Sequence, residues 1–514
     1  MTSAFSLSGG VAFAATARLG SLVLGISFQI LVAKVMTANE YASYSVAFAI
    51  AAVVGTLSNF GIARSLSRFL PLVTAYGAGS DLVRTLGFYL LLKSAGLGIV
   101  VAALLLLGIL DAQTLWSGHP PNKVILLVWV IVLSFQLDIE AAAQALKAYS
   151  LWAGTSFLEV VARTFICLSI AGLYQLDPND LMLAWGMTST IQFVLVILIL
   201  CVRNKGGRWR EAGSADGSLI PSFSQQLKFS ISIYMSALSW LAASPFSVRL
   251  ASATGLSPVP FAAISFVQTL VVSALRGLPV HLLAPILEPL LVTKLIVKGD
   301  RSAAETILSL LIKLETIVIM FAIVVIVPLG SLVITTLGKP DFAPYAFILP
   351  ILLLQALGTS YFRAAEILAG ILQVHVTFMV MLPVSLCSLV LVYITSSSLG
   401  AASLLIWPCA DTAVKLAIMI YALRSRGAAR IFDVTRLNMV IVPAVVLVFV
   451  TEAVIWYFGF ENLGRICLSF LAGAAFMLSL LISRPFRHLE HRLIGDISPR
   501  NITRVGNMVG LLAK

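Results

Sequence analysis

Four cations sit where the sequence gives them no solvent. Arg18, Lys93, Arg276 and Lys313 all fall inside apolar stretches, and none has an acid three or four positions away. A charged side chain within hydrocarbon is costly, so it faces a cavity or a partner and marks a candidate site. Each lies about 7–9 residues from one end of its stretch, roughly 10–14 Å deep at 1.5 Å per residue. Two chemistries fit. Clustered cations facing a shared aqueous chamber would hold an anion, and arginine binds phosphate oxygens bidentately. Alternatively, these long side chains snorkel singly to the headgroups.

Other polar groups could complete such a chamber. Asp138 and Glu140 lie close together, and Gln136, Glu140 and Gln144 share one helical face. This acidic stripe is a candidate for pairing with Arg18 or Lys93, or for carrying a coupling proton. Gln29, eleven positions after Arg18, and Asn59 are neutral donors. They suit sugar hydroxyls or helix–helix contacts equally well. Arg163, Arg363 and Lys415 differ, since each has an acid at helical spacing (Glu159, Glu366 and Asp411). Such pairs share a face and partly neutralise each other.

The elements that must position these groups are membrane helices. The chain has 514 residues, 60% hydrophobic and 11% charged, with a mean hydropathy of +1.02. So apolar a soluble protein could not cover its surface. About 20 apolar residues cross a bilayer, and fourteen stretches qualify, with ends at roughly 10–34, 44–68, 84–110, 123–146, 151–173, 181–202, 226–250, 259–283, 305–337, 344–370, 373–395, 400–423, 437–458 and 463–482. The expected fold is an all-α polytopic membrane protein with two six-helix lobes and two C-terminal helices. Residues 1–202 form the first lobe, 203–225 a Gly/Ser-rich cytoplasmic linker and 226–423 the second lobe. Residues 424–482 hold the last two helices and the loop before them, and 483–514 a basic tail on the lipid surface.

Charge sets the expected orientation. With the N-terminus in the cytoplasm, 22 Lys and Arg fall on that side and 5, including Arg249, on the other. The positive-inside rule then puts both termini in the cytoplasm. Residues Ala33–Phe48 can be laid beside Leu250–Ser265 as a weak internal repeat, an arrangement common in transporters.

Several classes are disfavoured. The five cysteines lie in or at the ends of apolar stretches without CxxC spacing, so neither disulfides nor a metal centre is expected. His281 and His375 have no ligand-spaced partner, and no cofactor motif is present. The N-terminus lacks a basic n-region, so the first apolar run reads as a retained span rather than a signal peptide. No GxxxxGK[ST] loop exists to drive an ATP pump. An integral-membrane polymerase or glycosyltransferase would need a sizeable outer loop, and the largest, 111–122, carries one acid and one histidine. The chain is therefore not expected to be an enzyme.

The stretch from Gly10 to Pro71 carries a resemblance. A small-residue first helix, the connection LVAKVMTANEYASYSVA and a second helix ending SNFGIARSLSRFLP resemble the opening of Wzx-type polysaccharide flippases of the multidrug/oligosaccharidyl-lipid/polysaccharide exporter superfamily. Val35-Met36 and Ala42 depart from the Leu-Gly and Gly that are usual there. The resemblance implies two lobes around a central cavity with alternating access. It also implies an undecaprenyl-diphosphate-linked oligosaccharide as substrate, moved to the periplasmic leaflet of the bacterial inner membrane for polysaccharide synthesis, with polymerase and export machinery as partners. The related flippase for the peptidoglycan precursor has cavity arginines on its first and eighth helices, where Arg18 and Arg276 fall here. Lys93 and Lys313 have no such counterpart. A drug or cation antiporter of the same superfamily is the main alternative, although its cavity would favour carboxylates over an arginine.

Overall fold

The computed structural model describes residues 2–76, 79–111, 113–116, 118–146, 148–205, 222–278, 280–281, 301–371, 376–427 and 432–486. Among these residues every regular element is helical. Twelve helices are long and apolar enough to cross a membrane, or thirteen if one bent pair counts as a crossing. Their outer faces carry large apolar side chains in full view; Leu106 is 87% exposed. Water would not tolerate such a surface, and lipid does. The chain is a multi-pass membrane protein.

It divides into two compact units. The first comprises residues 1–265 and 378–407. Here α1 (Thr2–Val35) packs on α6 (Tyr149–Leu173). The approach is close, because a Cβ at Gly20 would lie 2.9 Å from the Phe157 ring. Next comes α2 (Ala38–Leu57). Its start is encoded locally: Thr37 Oγ1 accepts from the Glu40 amide, and the Glu40 carboxylate accepts from the Thr37 amide at 2.7 Å. This reciprocal cap satisfies two donors that a helix start leaves bare.

The second expected span, 44–68, is not one helix. It breaks between α2 and α3 (Ile62–Tyr76), where Phe60 and Gly61 take φ of 46° and 75°. Left-handed residues cannot continue a right-handed helix. The Asn59 side-chain oxygen then accepts from the Ala63 amide and supports the start of α3. Gly61 also allows a close crossing, since a Cβ there would sit 2.3 Å from the Ser230 carbonyl oxygen.

The rest of this unit follows as α4 (Gly79–Leu106), α5 (Lys123–Ala145), α7 (Pro178–Lys205), α8 (Phe223–Ala242), α9 (Pro245–Ser252) and the start of α10 (Pro258–Leu275). The expected seventh span is bent by 51° between α8 and α9. Ser244 caps the new helix and Pro245 opens it; proline suits a first turn and cannot bond within a continuing helix. The two stretches laid together as a repeat do each join consecutive helices, α1 to α2 and α9 to α10.

The second unit comprises residues 266–377 and 408–514. Its long helices are α11 (Arg301–Ile326), α13 (Ile348–Ile371), α16 (Val434–Phe458) and α17 (Asn462–Ser483); α13, α16 and α17 all pack on α11. A short α12 (Gly330–Leu337) follows α11, so the expected span 305–337 is also two helices. The remaining helices, α14 (Val376–Leu399), almost wholly in the first unit, and α15 (Ser403–Ser425), which passes from the first unit into the second, form one 46-residue apolar run broken at Gly400, with φ of 55°. Among the described residues, the fourteen expected spans are matched in number only if the bent pair counts once and this run twice. The linker from 206 to 221 and the tail beyond Phe486 lie outside the described residues.

Candidate functional site

Arg18 projects from α1 toward α5. Its Nη2 lies 3.1 Å from Glu140 Oε1, and both side chains are about a third exposed. A pair so open contributes little stability and can exchange partners. Most of the guanidinium's five donors remain available to a second anion.

Lys93 is placed differently. It is 1% exposed, donates to the Gly55 carbonyl at 3.1 Å and lies 3.3 Å from Asp138 Oδ2. Asn59 Nδ2 donates to the other Asp138 oxygen at 2.5 Å. The carboxylate thereby ties α4 and α5 to the corner after α2, and Lys93 adds a bond to α2 itself. The structure brings together three candidate residues here, Lys93, Asn59 and Asp138, as a closed interior network. Gln29 Nε2 donates to the Tyr44 hydroxyl at 3.3 Å, while its Oε1 is enclosed without a hydrogen-bond partner. Gln136 bonds Gln192 at 3.3 Å, and Gln192 bonds Ser156 at 2.9 Å. The Gln144 side chain is outside the described residues.

Arg276 and Lys313 belong to the second unit. The expected eighth span reaches residue 283, but α10 ends at Leu275. Arg276 stands in the turn just beyond, and it is exposed. Lys313 is 1% exposed and 3.7 Å from Asp433, whose carboxylate also caps the start of α16. All three pairs expected at helical spacing form. Glu159 meets Arg163 at 3.2 Å, Arg363 meets Glu366 at 2.5 Å, and Asp411 meets Lys415 at 3.0 Å.

Sequence spacing missed three groups. Arg163 does more than pair, because its guanidinium lies 3.9 Å from the Trp185 ring centroid and 4.7 Å from that of Phe28. Arg249, counted above as an outer-face charge, is 2% exposed and donates to the Ser265 carbonyl at 3.0 Å. Ser244-Pro245, four residues upstream, signalled the helix break that turns it inward. Glu315 is fully buried and accepts from Ser360 Oγ at 2.7 Å. That serine also lies 3.4 Å from His281 Nε2. A lone acid in the middle of an apolar run was the available signal. His375 is outside the described residues.

No protein-family model and no curated protein matches the sequence. Solved structures do match. Lipid II flippase MurJ, in an inward closed conformation, aligns with a TM-score of 0.57 at 15% identity, covering 92% of this chain and 98% of that one. An inward-facing multidrug resistance MATE family transporter of the MOP superfamily aligns at 0.56 and 13%, covering 81% and 98%. This chain shares their fold. The likeness runs over almost the whole of both structures, so it concerns the full arrangement of helices and not one hairpin.

Proposed function

We propose that the chain is a flippase that carries an undecaprenyl-diphosphate-linked oligosaccharide from the cytoplasmic to the periplasmic leaflet of the inner membrane. The supporting observation is Arg18. It is a membrane-embedded guanidinium, partly exposed and loosely held by one contact to Glu140, within a fold shared with a lipid II flippase. In this reading the diphosphate displaces Glu140 and takes the fork of donors. Arg276, exposed beyond α10, supplies the second cation. Gln29 and Asn59, expected to meet the sugar, are engaged inside the first unit by Tyr44 and Asp138 and hold helices instead, as Lys93 and Lys313 do through their ion pairs. The polyprenyl tail stays in lipid while two lobes alternate around the headgroup. Both termini face the cytoplasm, and a polymerase receives the product. A ligand shifts such an equilibrium only by its differential affinity for the two states, so Arg18 grips more tightly in one of them.

The test is deletion of the gene and identification of the lipid-linked oligosaccharide that accumulates on the cytoplasmic leaflet. Restoring Arg18→Ala and Arg276→Ala variants separately then probes the grip. Full export by both, at normal protein levels, overturns phosphate capture.

The MATE likeness and the partly exposed Glu140 carboxylate favour a second reading, a drug or cation antiporter. It predicts sensitivity to cationic compounds on deletion, with no lipid-linked intermediate accumulating.

A further inference from the structure

We propose that Glu315, Ser360 and His281 form a proton-binding relay within the second unit, and that this relay takes up the ion that drives the transport cycle. The second clause rests on the transport reading above; the first does not.

The argument begins with Glu315. It sits on α11 with no exposed surface. Among the described residues it makes no ion pair, whereas Asp138, Glu140, Glu159, Glu366, Asp411 and Asp433 each meet a cation. Its Oε2 is enclosed without a hydrogen-bond partner, and besides Ser360 the carboxylate is eased only by the Val280 backbone. An ionised carboxylate in so dry a place is costly, and taking a proton relieves that cost. The acids already paired have less to gain, so neither Asp138 nor Glu140 is the better candidate.

Geometry supplies the route. Ser360 Oγ on α13 donates to Glu315 Oε1 at 2.7 Å, leaving its lone pairs free to accept. His281 Nε2 lies 3.4 Å from that oxygen, and the residue is mostly but not fully buried. A proton arriving at Nδ1 makes His281 an imidazolium. Its Nε2 proton passes to Ser360 as the serine proton passes to Glu315 Oε1. Histidine ends neutral, serine keeps a hydroxyl, and the carboxylate becomes a carboxylic acid.

The surrounding charges are placed to make this occupancy matter. Arg276 and Arg363 oppose a proton on His281 and Glu366 favours one, so the imidazolium is a transient from which the proton moves on to Glu315. From α13, Tyr361 bonds Thr316, the residue after Glu315, at 2.7 Å. Lys313, two residues before Glu315, is engaged with Asp433 at the start of α16. Loading the relay changes its net charge by one, and Arg276, which acts electrostatically on the histidine of the relay, is a cation assigned above to the substrate.

Infrared difference spectroscopy on the purified full chain, without substrate, tests the site. Acidification from mildly alkaline buffer should raise a protonated-carboxyl band that Glu315→Gln removes. Asp138→Asn and Glu140→Gln should keep it. Ser360→Ala and His281→Gln should keep the band but move its midpoint by about one pH unit, the size of one lost hydrogen bond. A band unchanged in Glu315→Gln overturns the site. So does a response that follows sodium concentration and ignores pH. In proteoliposomes loaded with lipid-linked oligosaccharide, a pH gradient should speed translocation at least tenfold in wild type and not in Glu315→Gln. A titrating Glu315 with gradient-indifferent translocation overturns the driving role alone. Failure of wild type to move any lipid-linked oligosaccharide sinks the transport reading, and the infrared result still decides the site.

Discussion

Arg18 and Glu140, 122 positions apart in the chain, meet at 3.1 Å between α1 and α5, and both remain open to a competitor. That openness separates them from the other charge pairs within the helices. Removing the guanidinium should cost a substrate the strength of one or two charge-assisted hydrogen bonds, about 1.5–3 kcal/mol each. Arg18→Ala should therefore reduce export at least tenfold, as read from accumulation of the lipid-linked precursor. Arg18→Lys should restore part of it, keeping the charge and losing the fork. Glu140→Gln should alter stability by under about 1 kcal/mol, because the pair is solvent-screened.

Lys93 and Asp138 behave as one unit. Either Lys93→Met or Asp138→Leu alone strands a buried charge, at a cost of about 3–5 kcal/mol. The double variant should recover much of that loss. Thermal unfolding of the purified protein, read as a double-mutant cycle, checks it; additive losses would mean the two groups do not interact.

Gly61 should not tolerate a side chain. Gly61→Ala puts a Cβ 2.3 Å from the Ser230 carbonyl oxygen at a φ of 75°. Strain of this type costs about 1–3 kcal/mol before the clash is added. A melting temperature equal to wild type would show that the corner between α2 and α3 is not the rigid junction described here.

Arg163 is held by both Glu159 and the face of Trp185. Arg163→Lys keeps the charge and loses the flat stacked surface. It should lower stability by about 1 kcal/mol, within the range of a desolvated cation–π contact, and alter tryptophan fluorescence. An unchanged spectrum would contradict the stacking.

What could be read from the chain beforehand followed the range of the interaction. Pairs three or four residues apart, such as Glu159–Arg163 and Asp411–Lys415, formed as expected because one helix fixes both partners. The apolar stretches also gave the helices. Contacts between helices were another matter. The acids Asp138 and Glu140 marked themselves as partners for Arg18 or Lys93, and both do pair, yet nothing in periodicity specifies that Glu140 takes Arg18 and Asp138 takes Lys93. Backbone sign was hidden too: SNFGIARS read as continuous helix, yet Phe60 and Gly61 are left-handed. Arg249 was misjudged because a hydrophobic average passes over a bend at Ser244-Pro245. Arg276 was placed within a span by the same smoothing, whereas the helix stops one residue earlier.

The corner at Gly61 has one more consequence. Ser65 Oγ lies 2.5 Å from Ser230 Oγ, Tyr89 donates to Gln226 at 3.0 Å, and Tyr234 donates to the Leu57 carbonyl at 2.6 Å. Helix α8 is thus fastened to α2, α3 and α4 by side chains, independently of the peptide that joins it to α7. Two polypeptides divided between residues 206 and 221 should find each other when co-expressed, and a gene split at that point should still yield an assembled protein.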